Sequence, residues 1–81
     1  MIVNVTSSEW TSHTPARSPS IIQNKTATSI AIVQSATAPS EIDFGVEDYL
    51  TLRYLESVVV TDISTPVQIR SLGVPAAVFV G

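Results

Sequence analysis

Residues 57–80 read SVVVTDISTPVQIRSLGVPAAVFV, and the fold class turns on how this stretch is read. It holds three short runs rich in β-branched residues, at 57–63, 66–70 and 76–80. In the middle run Val67 and Ile69 alternate with Gln68 and Arg70. A period of two sets one side of a strand on a core, so Val67 and Ile69 are expected inward and Gln68 and Arg70 outward. Pro66 suits the start of that strand, where its missing N–H does least damage. Leu72-Gly73-Val74-Pro75 reads as a turn, with Gly73 there to supply a positive φ.

Upstream the same grammar continues. Residues 29–34 (SIAIVQ) place Ile30 and Ile32 on one face and Ala31 and Val33 on the other. Ile21-Ile22-Gln23 forms another β-type segment, closed by a turn at Asn24-Lys25. Residues 35–40 (SATAPS) are small, polar and proline-bearing, which marks a loop. Residues 44–55 (FGVEDYLTLRYL) admit two readings. Val46, Leu50 and Tyr54 recur at helical spacing, with Glu47 and Asp48 where a helix dipole favours acids. Leu50, Leu52 and Tyr54 also alternate, and the strands on either side favour the strand reading. Some six short strands with turns every 8 to 12 residues or so indicate an all-β fold. The expected architecture is a small antiparallel β-sandwich or barrel, Ig-like or jelly-roll-like, with an extended N-terminal arm.

The arm is read from residues 1–19. Ile2, Val3 and Val5 could add a brief strand to a neighbour, and residues 6–20 (TSSEWTSHTPARSPS) hold one large apolar residue, Trp10. Pro15 and Pro19 fix φ and favour extended backbone before them. The expected division is therefore an arm over 1–19 and a sandwich domain over 20–81. Ile2, Val3, Val5, Trp10, Pro15 and Pro19 are the expected partner-binding residues, since Trp is enriched among interface hot spots. Deleting 1–19 is expected to leave a folded domain that attaches less well.

Composition bounds the function. The chain has 81 residues and no cysteine, so disulfides cannot supplement a thin core. Apolar residues make up 44% and charged residues 14%, well under the charged share of about 25% in average proteins. That balance favours uncovered apolar surface and association, with a homo-oligomer (dimer or trimer) as the expected state. The net charge of −3, with Arg17, Lys25, Arg53 and Arg70 scattered, excludes the clustered cations that track phosphates. The same scarcity speaks against an anionic membrane, and no apolar run nears the span of about 20 residues a bilayer needs. The first ten residues lack the pattern of a secretory signal, so cytosolic synthesis is expected.

No residue set organises into an expected catalytic, cofactor or metal site. His13 lies in the Pro/Ser-rich arm, where nothing would hold it about 3 Å from a nucleophile. Glu41, Asp43, Glu47 and Asp48 gather four carboxylates within eight residues, yet their spacing matches no calcium loop. The expected reading of this acidic loop is a solvated loop or a patch facing basic residues on a partner. Phe44, Tyr49 and Tyr54 could form a platform for a sugar, but in a small β domain aromatic residues are more often core. A non-enzymatic protein without cofactors is the expectation.

Several of these pieces together resemble the small β-sandwich proteins of tailed-bacteriophage virions. They are residues 24–34, Pro39, residues 58–62, Pro66-Val67-Gln68-Ile69-Arg70-Ser71 and residues 77–80. The resemblance covers about three quarters of the chain. It implies a virion structural protein synthesised in the host cytoplasm, binding the major capsid protein or other virion proteins as a decoration (cement) protein or head–tail accessory. The alternative is a carbohydrate-binding or host-adhesion module on a phage fibre.

Overall fold

Alternation of burial along the last strand shows how the sequence pattern becomes a fold. Ala76, Val78 and Val80 are buried while Ala77 and Phe79 between them are only partly so. The computed structural model describes residues 1–37 and 50–81. In chain order its strands are β1 Ile2–Val5, β2 Thr11–His13, β3 Ser20–Asn24, β4 Ile30–Gln34, β5 Leu50–Leu52, β6 Ser57–Val60, β7 Val67–Ser71 and β8 Ala76–Val80. No helix occurs among the described residues.

The strands form two four-stranded antiparallel sheets, ordered β1-β8-β3-β6 and β2-β7-β4-β5. The first strand thus pairs with the last, the second with the seventh, the third with the sixth and the fourth with the fifth. This is one long hairpin rolled over on itself, the jelly-roll arrangement of a β-sandwich. Of these pairs only β4 and β5 are neighbours in sequence, so the sheets depend on long-range pairing.

Between the sheets lies a core of Val and Ile. Val5, Ile22, Val78, Val80 and Val60 come from the first sheet, and Ile30, Ile32, Leu52, Val67 and Ile69 from the second. β-Branched side chains fit the pleated inner faces, and each one buried contributes about 1.5–3 kcal/mol. The inward assignments of Val67, Ile69, Ile30 and Ile32 agree with the structure.

Residues 1–19 do not form an extended arm. They supply β1 to the edge of one sheet and β2 to the edge of the other. Val5 is 1% exposed and belongs to the core. Ser71 donates its backbone N–H to the Thr6 carbonyl at 3.0 Å, and Arg70 donates its Nε–H to the Ser7 carbonyl at 2.9 Å. The sequence pattern misses this because β2 is Thr-Ser-His, a polar edge strand with no apolar signal, held on β7 by backbone pairing and by the Gln68–Ser12 side-chain bond.

Four further expectations need correction. Gln68 lies on the outer face but is 3% exposed, because its Nε2 donates to the Ser35 carbonyl at 3.0 Å and to Ser12 Oγ at 3.3 Å. Gly73 does not adopt a positive φ; instead a Cβ there would meet Thr28 Oγ1 at 2.8 Å. The strand expected over 57–63 ends at Val60. Beyond it Asp62 Oδ1 accepts from the Ser64 N–H and Oγ–H and turns the chain. Tyr54 is 59% exposed rather than core, since the strand containing Leu52 ends before it. Pro39, the acidic loop of Glu41, Asp43, Glu47 and Asp48, and Phe44, Val46 and Tyr49 lie outside the described residues.

Where β3 hands over from one sheet to β4 of the other, Asn24 acts as a buried pin. Its Nδ2 donates to the Thr28 carbonyl at 2.7 Å and to the Leu52 carbonyl at 3.0 Å. Its Oδ1 accepts from the Thr26 N–H and Oγ–H, each at 2.9 Å. Its backbone N–H donates to the Glu56 carbonyl and its carbonyl accepts from the Leu55 N–H. An amide side chain offers two donor protons and two acceptor lone pairs, and all four are used. The turn expected at Asn24-Lys25 is therefore fastened to both sheets.

Candidate interaction surface

The two outer faces of the sandwich differ in chemistry, and strand register shows how. On the sheet β1-β8-β3-β6, Ile2 pairs with Phe79 and Phe79 with Gln23, while Ile21 pairs with Val59. Paired residues share a face. The outer face therefore carries Ile2, Phe79, Ile21 and Val59 in two adjoining rows. Ile2, Ile21 and Val59 are 53%, 46% and 59% exposed. Its polar members are uncharged: Asn4 opposite Ala77, and Gln23 opposite Ser57. Lys25 is the nearby charge, its Nζ 6.0 Å from the Phe79 ring centroid at one corner. No ionisable side chain lies in the rows this register defines, and the Met1 ammonium beside Ile2 donates to the Val80 carbonyl at 3.2 Å.

The opposite outer face is polar. There Ser12 pairs with Gln68, Gln68 with Val33, and Ala31 with both Arg70 and Thr51. Hydrogen bonds occupy Gln68 and Arg70, so this side is finished with polar groups already satisfied. Ala31 and Gln68 at its centre are buried and Val33 and Arg70 partly so, whereas Ile2, Ile21 and Val59 stand exposed on the other face.

The structure scatters the residues expected to bind a partner. Ile2 belongs to the apolar face and Pro19 is exposed beside it in sequence to β3, after a cis Ser18–Pro19 bond. Val3 is partly buried against the core, and Val5 and Pro15 are buried in the chain's own interior. Trp10 is half-buried in the β1–β2 connection, its indole N–H enclosed without an acceptor. Ile21, Val59 and Phe79 were missed as surface residues. The signal was present, since Val59 and Phe79 fall on the opposite parity from the core residues Val60, Val78 and Val80, but apolar residues on both parities read as uniform burial.

His13 sits in β2 opposite Val67, partly buried. Among the described residues no group of three His, Cys, Asp or Glu side chains is placed to hold a metal ion. Asp62 has its carboxyl held below the usual carboxylate range by the hydrogen bonds from the Ser64 hydroxyl and N–H, with Thr65 adding to them. That is the chemistry of a turn. Comparison with protein-family models, with curated proteins and with solved structures finds no match to this chain.

Proposed function

We propose that this protein is a structural component of a tailed-phage particle, docking on the capsid surface as a decoration protein or at the head–tail region. The observation that carries the reading is the outer face of the β1-β8-β3-β6 sheet, where Ile2, Ile21 and Val59 stand exposed among residues with uncharged side chains. An exposed apolar patch of this kind on a small protein marks an interaction site. With residues 1–19 folded into the sandwich, attachment falls to this face rather than to an arm. The jelly-roll strand order recurs in viral capsid and lectin domains, an analogy of fold that adds less weight than the face itself. Binding the folded state also adds stability by mass action, which suits a cysteine-free chain of 81 residues.

The test is quantitative mass spectrometry of particles purified from the culture that produces the chain. A copy number near that of the major capsid protein, or a simple fraction of it, fits decoration. About a dozen copies fits the neck or a fibre, and absence from particles refutes the proposal. A glycan-binding module on a fibre has the exposed Tyr54 ring in its favour. Among the described residues Tyr54 is the one aromatic ring that is largely exposed, with Trp10 only partly so.

A further inference from the structure

We infer that the Tyr54–Leu55 turn anchors this chain on its partner, with the Leu55 side chain filling an apolar socket in a protein surface. The inference rests on the virion reading and names the residue on which docking at that surface turns.

Among the described residues Leu55 is the only non-glycine residue with a positive φ, 63°. The turn over 53–56 is closed by the Glu56 N–H, which donates to the Arg53 carbonyl at 3.1 Å, and Leu55 takes its third position. A positive φ there favours glycine or asparagine, because a Cβ crowds the neighbouring carbonyl. Leucine therefore weakens the fold at this point. Its side chain gives no return inside the molecule, since it is 46% exposed and stands outside the apolar core. Residues held in such sparsely populated conformations cluster at functional sites. An exposed leucine in this one is accounted for when its side chain is used by something outside the chain.

The turn is also rigid. Both backbone groups of Leu55 are bound, its N–H donating to the Asn24 carbonyl at 2.8 Å and its carbonyl accepting from Gln23 Nε2 at 3.0 Å. Glu56 Oε1 accepts from the Arg53 N–H at 2.7 Å. A side chain presented on a fixed backbone leaves less freedom to be lost on binding. Tyr54, the other central residue of the turn, is 59% exposed, and tyrosine is enriched among the residues that dominate interfaces.

Position ties the turn to the docking face. Gln23 lies in the outer row of the β1-β8-β3-β6 sheet, between Phe79 and Ser57. Its bond to the Leu55 carbonyl sets the turn at the rim of the face that carries Ile21 and Val59. A partner that covers this face meets the turn at its border. A projecting leucine calls for an apolar pocket, and the Tyr54 hydroxyl calls for a hydrogen-bond partner beside it. A glycan, covered in hydroxyl groups, offers no apolar enclosure, so the occupant is a protein surface.

Competition within one culture tests the inference. The chain and its Leu55→Asn variant are produced in equal amounts during particle assembly, and quantitative mass spectrometry counts each in the purified particles. Asparagine suits the left-handed backbone but not an apolar socket. The variant should therefore have a urea midpoint at or above that of wild type and still be outcompeted about tenfold, the ratio expected when one buried leucine is lost from a contact. Leu55→Gly suits the same φ and repeats the test should asparagine disturb the fold. Leu55→Met keeps the apolar bulk and should compete within about threefold of wild type. Equal incorporation of wild type and a folded Leu55→Asn variant overturns the inference and leaves the virion reading standing. So does exclusion of Tyr54→Ala alongside equal incorporation of Leu55→Asn, which moves the contact to the ring. Absence of the wild-type chain from particles refutes the virion reading, and the anchor falls with it.

Discussion

Truncating the buried Asn24 side chain tests whether the two sheets are held in place by a polar pin as well as by the apolar core. Asn24→Ala removes four hydrogen bonds at once. The Leu52 carbonyl is the most enclosed of the stranded partners, and leaving such a group unpaired costs about 1–3 kcal/mol. The Thr28 carbonyl and Thr26 N–H are only partly buried, so each loses about 0.5–1.5 kcal/mol. The total is about 2–6 kcal/mol. An 81-residue domain has a stability of about 4–12 kcal/mol at typical per-residue values. At mid-range values the variant should therefore lose about half of its folding free energy. Urea unfolding, followed by fluorescence of the single tryptophan Trp10, measures this directly. Asn24→Asp separates hydrogen bonding from shape. It keeps the outline but turns a donor into an acceptor facing the Thr28 and Leu52 carbonyls, so at pH 7 it should be at least as damaging as alanine. Burial among carbonyl oxygens raises the introduced carboxyl's pKa in the folded state above its unfolded value of about 3.9. Stability of that variant should then fall as pH rises from about 4. A cost under about 1 kcal/mol for Asn24→Ala, or an Asn24→Asp variant as stable as wild type at pH 7, would refute the pin.

Other residues give further tests. Leu55 adopts φ 63° in the turn between β5 and β6 and is largely exposed; Leu55→Asn should stabilise the fold by about 0.5–1 kcal/mol, because asparagine tolerates the left-handed region that costs other residues about 1–2 kcal/mol. A lower urea midpoint for that variant would contradict the reasoning. Deleting residues 1–19 removes an edge strand from each sheet and exposes the core that Val5 covers, so the remaining chain should show no cooperative unfolding transition. A folded, cooperative 20–81 fragment would restore the arm. The depressed pKa of Asp62 means that its carboxylate adds stability above the unfolded value of about 3.9, lost as pH falls through the lower folded value. Asp62→Asn should therefore weaken the acid dependence of the urea midpoint below pH 4 or so, and an unchanged acid limb would show that the Ser64 contacts do not persist in solution.

How much of this was legible in the sequence varies by element. β4, β7 and β8 were readable because Ile30 and Ile32, Val67 and Ile69, and Val78 and Val80 recur at period two in short β-branched runs. β1 was visible only as a short apolar run, and β2 not at all, since Thr-Ser-His carries no hydrophobic signal. An edge strand is defined by the backbone groups its neighbour offers, and β7, 54 or more residues away, offers them to residues 11–13.

The chain's own chemistry determined that it would be all-β, with an Ile/Val core and no disulfide to support it. It also determined which residues of a strand lie on the same face, because alternation is a local property of extended backbone. What covers each face is not local. Only tertiary structure decided that Gln68 would be buried by Ser12 and Ser35, that Asn24 would pin two sheets together, and that Ile21, Val59 and Phe79 would stand outward side by side. Those neighbours are brought together by long-range strand pairing, and no pattern within a single segment contains that information.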